Sequence, residues 1–242
     1  MTKEYLIVIP ARYKSTRFPG KPLINIAGKS MLQRVYNKCL SITTIDQIIV
    51  ATDDSRIEDH CKLNKINVIR TSVDCLTGTD RVAEVAKLIP AKFYINVQCD
   101  EPLIDPLDIE RIINAYRKKI NVIYCAMTKI NSDTEYFNKN IPKIVTRNDH
   151  TLMYISRSGI PTPKNDSFIP TMKQVCIYAF SNKHLKEFGV GKNKTKNEKI
   201  EDIEILRFLD LGYKVSMIEV SKSSIAVDTP EDLKKVLLSL ND

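Results

Sequence analysis

Three short stretches carry the residues best suited to chemistry. The first is Ile9-Pro10-Ala11-Arg12-Tyr13-Lys14-Ser15-Thr16-Arg17-Phe18-Pro19-Gly20-Lys21-Pro22-Leu23, which sets four cations (Arg12, Lys14, Arg17 and Lys21) and a pair of hydroxyls around a Pro-Gly turn. Cations and backbone N–H groups converging on one turn are what a triphosphate needs. The stretch is not a Walker loop, because GxxxxGK[ST] is absent. By residue type alone, a solvated basic loop reads equally well. The second stretch, Asn96-Val97-Gln98-Cys99-Asp100-Glu101-Pro102, ends an apolar run on two acids. Acids at the end of a buried strand are costly without a partner, and a hard cation is the usual one. Capping of the following turn is the plainer alternative. The third stretch, Val227-Asp228-Thr229-Pro230-Glu231-Asp232, offers a further carboxylate to the same Mg²⁺, although Thr229 to Asp232 alone is an ordinary helix start. Two carboxylates, one Mg²⁺ and a basic loop together make a nucleotidyl-transfer site.

The elements that must position these stretches alternate along the chain. The sequence predicts a strand at 5–10, a polar loop at 11–30, and a helix capped by Ser30 in which Met31, Leu32, Val35, Tyr36, Cys39 and Leu40 recur at helical spacing. A strand at 47–52, a helix around 55–64 and a strand at 67–71 follow. After a loop at 72–78, Val82, Val85, Ala86 and Ile89 mark a helix, 93–97 a strand, Ile109, Ile112, Ile113 and Tyr116 a helix, and 122–128 a strand. Val/Ile-rich strands separated by helices predict an α/β fold: a mostly parallel, Rossmann-like sheet flanked by helices. The first basic loop then leaves the carboxyl end of strand one, where open α/β sheets bind ligands. From 143 the pattern changes: 143–147 and 151–156 read as strands joined by a polar turn, and 173–180 as another. This predicts a small antiparallel insertion at about 130–182 that covers a site, makes an oligomer contact or extends the sheet. A surface loop at 189–199, a helix at 200–211 ending on Gly212, a strand at 214–220 and a helix from Pro230, capped by Thr229, complete the reading. Residues 1–242 are expected to form a single domain.

Composition removes several classes. Of 242 residues, 43% are hydrophobic and 27% charged, which are globular proportions. No apolar run approaches the length of a membrane span. The apolar stretch at 5–10 is too short for a signal-peptide core, so a cytoplasmic protein is expected. Six cysteines without CxxC spacing are expected to be free thiols, and three scattered histidines argue against zinc. The net charge of +8 suits an anionic partner. Its cations are dispersed or gathered in the first loop, without the aromatic-studded stripe of a nucleic-acid binder. Neither nucleic acid nor membrane is an expected partner.

The stretch Ile9 to Leu23 resembles the signature of the CMP-Kdo synthetases, the 3-deoxy-manno-octulosonate cytidylyltransferases. Ala51-Thr52-Asp53-Asp54, Thr77-Gly78-Thr79-Asp80-Arg81, Asn96 to Pro102, Tyr154-Ile155-Ser156-Arg157, Glu204-Ile205-Leu206-Arg207 and Val227 to Asp232 follow in that family's order and spacing. The resemblance thus covers nearly the whole chain. Relatives that activate sialic acids carry a different first loop. The resemblance implies a nucleotidyltransferase fold and transfer of CMP from CTP to the anomeric hydroxyl of a 3-deoxy-2-ulosonic acid, with release of pyrophosphate, for lipopolysaccharide or capsule synthesis. It implies that Pro10, Ala11, Arg12, Ser15 and Lys21 line the nucleotide, Arg12 and Lys21 on its phosphates, with Thr77, Gly78 and Arg81 near cytosine and ribose. Gln98 would contact nucleotide or sugar, and Asp100 and Asp228 would hold Mg²⁺. Arg17, Tyr154, Arg157, Gln174, Tyr178, Glu204 and Ile205 would face the acceptor, and the insertion would contribute to a homodimer.

This chain departs from the pattern at four positions. Similar proteins usually carry histidine at Cys75 and Gln174, glycine at Cys99 and glutamine at Ile205. In that family the positions of Gln174 and Ile205 belong to the sugar-binding side, and an apolar Ile cannot replace the hydrogen bonds of an amide. A different acidic acceptor is therefore the alternative reading. A glycosyltransferase whose strand also ends on metal-binding acids is a further one, opposed by the intact Arg12 to Lys21 loop.

Overall fold

Val and Ile dominate the first strand because both of its faces are covered. The computed structural model describes residues 2–14, 18–189, 193–221 and 225–240. In it β1 (Lys3–Pro10) runs buried through the centre of the sheet. A small hairpin follows, β2 (Asn25–Ile26) and β3 (Lys29–Ser30), within what the sequence predicts as loop. Ser30 then caps α1 (Met31–Leu40), its side chain accepting from Gln33 N as expected of an N-cap serine. The chain continues through β4 (Ile48–Thr52), α2 (Ser55–Leu63), β5 (Val68–Arg70), α3 (Gly78–Leu88), β6 (Ala91–Val97), α4 (Pro106–Lys118) and β7 (Ile123–Ile130). These match the predicted alternation to within a few residues. Beyond them lie α5 (Asp133–Phe137), β8 (Lys143–Thr146), β9 (Leu152–Ser156), β10 (Thr171–Ser181), α6 (Asn182–Phe188), α7 (Lys196–Glu201), α8 (Leu206–Asp210), β11 (Val215–Glu219) and α9 (Pro230–Leu238).

The sheet order is β11-β7-β10-β6-β1-β4-β5, with β8 and β9 hanging from β10. All neighbours along this order pair in parallel except β10, which runs antiparallel between β6 and β7. The last strand of the predicted insertion is therefore central to the sheet. Local pattern does not reveal this, since a strand buried on both faces reads alike in either direction. Side chains of β1 alternate between two cores. Tyr5, Ile7 and Ile9 pack with α1, α2 and α4, while Leu6 and Val8 pack with α3, α6 and α8. A third cluster of Ile26, Met31, Val227 and Val236 holds α9 against α1 and the hairpin.

Two expectations are corrected. The loop predicted at 189–199 gives way at Lys196 to α7, started by the Thr195–Glu198 capping box, and the helix predicted at 200–211 is the end of α7 and then α8, because Asp202 takes a left-handed φ of 52° and ends the first. Gly212 does adopt the left-handed conformation, at φ 81°. Two helices, α5 and α6, were not predicted; each is short, and each starts at a serine whose side chain accepts from the third residue beyond it.

Candidate functional site

The carboxyl ends of β1 and β6 open into a cleft of about 640 Å³. Ten residues past the end of β1, Gly20 adopts φ 70° and starts the short helical turn Lys21–Leu23. This left-handed residue, which glycine accommodates without a Cβ clash, turns Lys21 back into the cleft. There Lys21 Nζ lies 3.3 Å from Asp100 Oδ2 and 3.1 Å from Asp228 Oδ1. Burial opposes the ammonium charge, but the two carboxylates outweigh it and hold the Lys21 pKa above its ordinary value. The three stretches singled out from sequence thus meet at one nitrogen.

Local backbone chemistry places both acids. Asp100 follows β6, and its carbonyl accepts from Val227 N at 2.8 Å, stitching the third stretch to the second. Asp228 precedes α9, whose capping box (Thr229 with Asp232) fixes the turn, Asp232 Oδ2 also accepting from Asp228 N at 3.3 Å. Asp100 Oδ1 is buried with no hydrogen-bond partner. Glu101, beside it, is buried and accepts from Cys176 N at 2.8 Å. Ligand atoms of Asp100, Glu101 and Cys176 lie within 4.8 Å of one another. Cys176 sits in a β10 irregularity between Val175 and Tyr178, and its carbonyl accepts from Gln98 N at 3.1 Å. A bulge of this kind next to a cleft re-aims the strand locally.

On one side, Pro10, Ala11, Arg12, Thr77, Gly78 and Arg81 line the cleft. Thr77 caps α3 in a reciprocal box with Asp80. A Cβ on Gly78 would meet Pro10 Cγ at 3.1 Å and Gln98 Nε2 at 3.4 Å, so its bareness is spatial. The Arg81 guanidinium is held by Asp53 at 2.9 Å and Thr71 Oγ1 at 2.7 Å. Arg12 is exposed at the rim. Ser15 and Arg17 lie outside the described residues.

Between this side and the insertion stands Glu204. It accepts from Thr79 N at 2.9 Å and from the Gln98 amide, and burial raises its carboxyl pKa. Arg157, Gln174 and Tyr178 line the opposite side. Arg157 is committed to backbone: Nε donates to Glu201 O at 2.5 Å, Nη1 to Lys139 O at 3.1 Å and Nη2 to Asp202 O at 2.9 Å. Gln174 Nε2 points at the Cys125 thiol, 3.7 Å away. Tyr154 and Ile205 do not line the cleft. Tyr154 is exposed on β9, and Ile205 is buried in the core beside α3 and α8. The amide lost at Ile205 therefore leaves no apolar patch in the cleft itself. None of the three histidines lines it either; His60 meets Ser30 Oγ at 2.8 Å and His184 caps α6.

Sequence reasoning missed several lining residues: Glu135 and Lys173, which pair with each other, Lys194, paired with Asp202, and Lys235. Lys235 had a signal, lying seven residues and two helical turns beyond Asp228. The other three had none, because only the folded insertion and its neighbours bring them to the cleft.

The sequence profile of the cytidylyltransferase family matches residues 6–217. The chain is 39% identical over 239 residues to the 3-deoxy-manno-octulosonate cytidylyltransferase of Syntrophotalea carbinolica, with 95% of each chain covered. It is 37% identical to the 8-amino-3,8-dideoxy-manno-octulosonate cytidylyltransferase of Shewanella frigidimarina, with 97% of each covered. Among solved structures, CMP:2-keto-3-deoxy-manno-octonic acid synthetase complexed with CTP superposes with a TM-score of 0.89 at 35% identity, 99% of each chain being covered. The 4-diphosphocytidyl-2C-methyl-D-erythritol synthase of Anaerococcus prevotii, at 19% identity and a TM-score of 0.65, shares the fold. The cytidylyltransferase profile and these full-length relatives show that the chain belongs to the CMP-Kdo synthetase family of cytidylyltransferases.

Proposed function

We propose that the protein transfers CMP from CTP to the anomeric hydroxyl of a 3-deoxy-2-ulosonic acid and releases pyrophosphate. The observation that carries this reading is the meeting of Lys21, Asp100 and Asp228 at the carboxyl end of β1 and β6. Pro10, Ala11, Thr77 and Gly78 form the nucleotide side, where the bare Gly78 leaves room for the base. Lys21 and the rim cation Arg12 face the phosphates and offset charge on the departing pyrophosphate. The acceptor hydroxyl attacks the α-phosphorus in line with that leaving group. Positioning and electrostatics supply the acceleration, without a covalent enzyme intermediate.

The residues fit a divalent cation. Asp100 and Asp228 are hard oxygen donors converging on one point, and the orphaned Asp100 Oδ1 is an acceptor in need of a positive partner. Asp100 and Asp228 would hold Mg²⁺, which would supply charge neutralisation to the phosphates and Lewis-acid assistance to the acceptor hydroxyl.

The acceptor is argued from the relatives' names and from the opposite wall. Two of those relatives act by name on different acids, the 3-deoxy sugar and its 8-amino analogue. Gln174, turned toward Cys125, favours as second reading an acidic acceptor other than the unsubstituted sugar. Pyrophosphate release from CTP and Mg²⁺ against both acids and a panel of other acidic sugars separates the two. Failure with every sugar acid overturns the acceptor class. The product suits lipopolysaccharide or capsule assembly in the cytoplasm. We also propose a homodimer through the insertion, where Phe137, Met153 and Tyr154 are exposed. Light scattering that reports a monomer at micromolar concentration would refute it.

A further inference from the structure

Lys143 begins β8, does not line the cleft and is fully buried. Its register partners are Ser156 on β9 and Lys173 on β10. Its Nζ donates to the carbonyls of Asn138 at 2.9 Å, Ile141 at 2.6 Å and Arg157 at 2.6 Å. An ammonium has three N–H groups, so every one is used. The accepting residues come from two separate segments, the link between α5 and β8 and the end of β9. All three line the cleft on the side opposite Pro10 and Gly78.

The charge near this lysine does not account for its burial. Glu201 is the neighbouring acid, but its carboxylate accepts from Ser156 Oγ at 2.6 Å and Arg157 N at 2.9 Å. Arg157 adds a like charge. Lys173, opposite in register, is paired with Glu135. An ammonium buried on carbonyls alone is an expensive way to fill space, which an apolar side chain fills at lower cost. What it does that an apolar residue cannot is tie three carbonyls of two segments to one atom.

We propose that Lys143 is a positioning residue for the acceptor, its ammonium clamping the backbone of Asn138, Ile141 and Arg157 into the wall against which the sugar acid docks. The inference rests on the acceptor side assigned above. It carries a pH signature. Burial, with Arg157 adding to it and Glu201 opposing, lowers the Lys143 pKa from 10.5 to about 8. A neutral amine has two N–H donors for three carbonyls, so one carbonyl is released as pH rises through this value. Because folding lowers the pKa, the unfolded chain binds more protons between about 8 and the ordinary value of 10.5. The contribution of this group to global stability therefore rises with pH in that window, and the loosening is local.

The test compares wild type, Lys143→Met and Lys143→Arg, with 3-deoxy-manno-octulosonate as the acceptor probe. Lys143→Met is expected to raise the acceptor KM by roughly tenfold while the CTP KM moves less than about twofold, and Lys143→Arg to recover most of the loss. Equal shifts in the two KM values, or none, overturn the proposal. Should the Met variant not fold, the wild-type pH series from 7 to 9.5 decides: a rise in acceptor KM centred near pH 8 with a flat CTP KM supports it, and a flat acceptor KM overturns it. Should the wild type not turn over this acid, the unsubstituted sugar is not the acceptor and amide exchange decides the clamp. Faster exchange at 138–141 and Arg157 in the Met variant than in the Arg variant, with α4 unchanged in both, supports the clamp; identical exchange refutes it.

Discussion

At the residue scale, three groups far apart in sequence share one nitrogen, and each substitution there has its own signature. Asp100→Asn keeps the shape of the side chain but removes one of the two charges beside Lys21. We predict a fall in kcat of about 10²-fold or more, the size seen when one preorganised electrostatic contact is lost. Pyrophosphate release at saturating CTP measures it, and full activity would sink the role given to Asp100. Gly78 tests space instead of charge. Its backbone does not need a left-handed φ, so alanine suits the first turn of α3, while the added Cβ meets the ring of Pro10 at 3.1 Å. Gly78→Ala is expected to raise the CTP KM several-fold and to move thermal stability by less than about 1 kcal/mol. Calorimetry and kinetics on one preparation check both, and an unchanged CTP KM would remove Gly78 from the base pocket.

At the scale of elements, the start of α3, proposed above to face the nucleotide, is held by a buried charge network that no short motif announces. Arg207 on α8 is nearly inaccessible and contacts Glu198 through Nε and Nη2, both at 2.7 Å. It also reaches Asp80 Oδ1 at 2.7 Å, the residue that completes the capping box with Thr77. Arg207→Met would leave Glu198 buried and unpaired, which costs about 3–5 kcal/mol. Urea denaturation should show that loss and should show much of it recovered in the double variant with Glu198→Gln, because removing both charges leaves neither stranded. An additive double variant would contradict the coupling. The sequence makes the local half of this arrangement legible. Thr77 and Asp80 stand three apart ahead of an apolar helical face, as do Thr229 and Asp232. It does not show that Arg207, 127 residues from Asp80 in the chain, closes the network. The same limit explains β10. Its apolar run is legible as a strand, but its place between β6 and β7 is set by tertiary pairing. Lys173 and Glu135 enter the cleft only through that pairing.

For the whole molecule, the decisive property is that one cleft is walled by parts of the chain that otherwise belong to different cores. Lys21 follows β1, Asp100 follows β6, and Asp228 precedes α9, which packs in its own cluster with Ile26 and Met31. The net charge of +8 is legible from composition. Its useful part is narrower, because Lys21, Arg81 and Arg157 are already matched to acids or carbonyls within the protein. A ligand spanning these walls crosslinks the β1 and β6 loops to α9, and it binds only the folded chain. At 100 times its dissociation constant such a ligand adds about 2.7 kcal/mol to stability. For a chain of this size each kcal/mol moves the melting temperature by roughly 2–4 °C, so CTP with Mg²⁺ should raise it by about 5–10 °C. ATP should give a much smaller shift, because the base pocket proposed beside Gly78 and Pro10 is assigned to a pyrimidine. The shift with CTP should also shrink in Asp100→Asn, which removes one of the two carboxylates proposed to hold the cation. Equal shifts with CTP and ATP would place recognition on the phosphates alone and would contradict a base pocket formed by Thr77, Gly78 and Arg81.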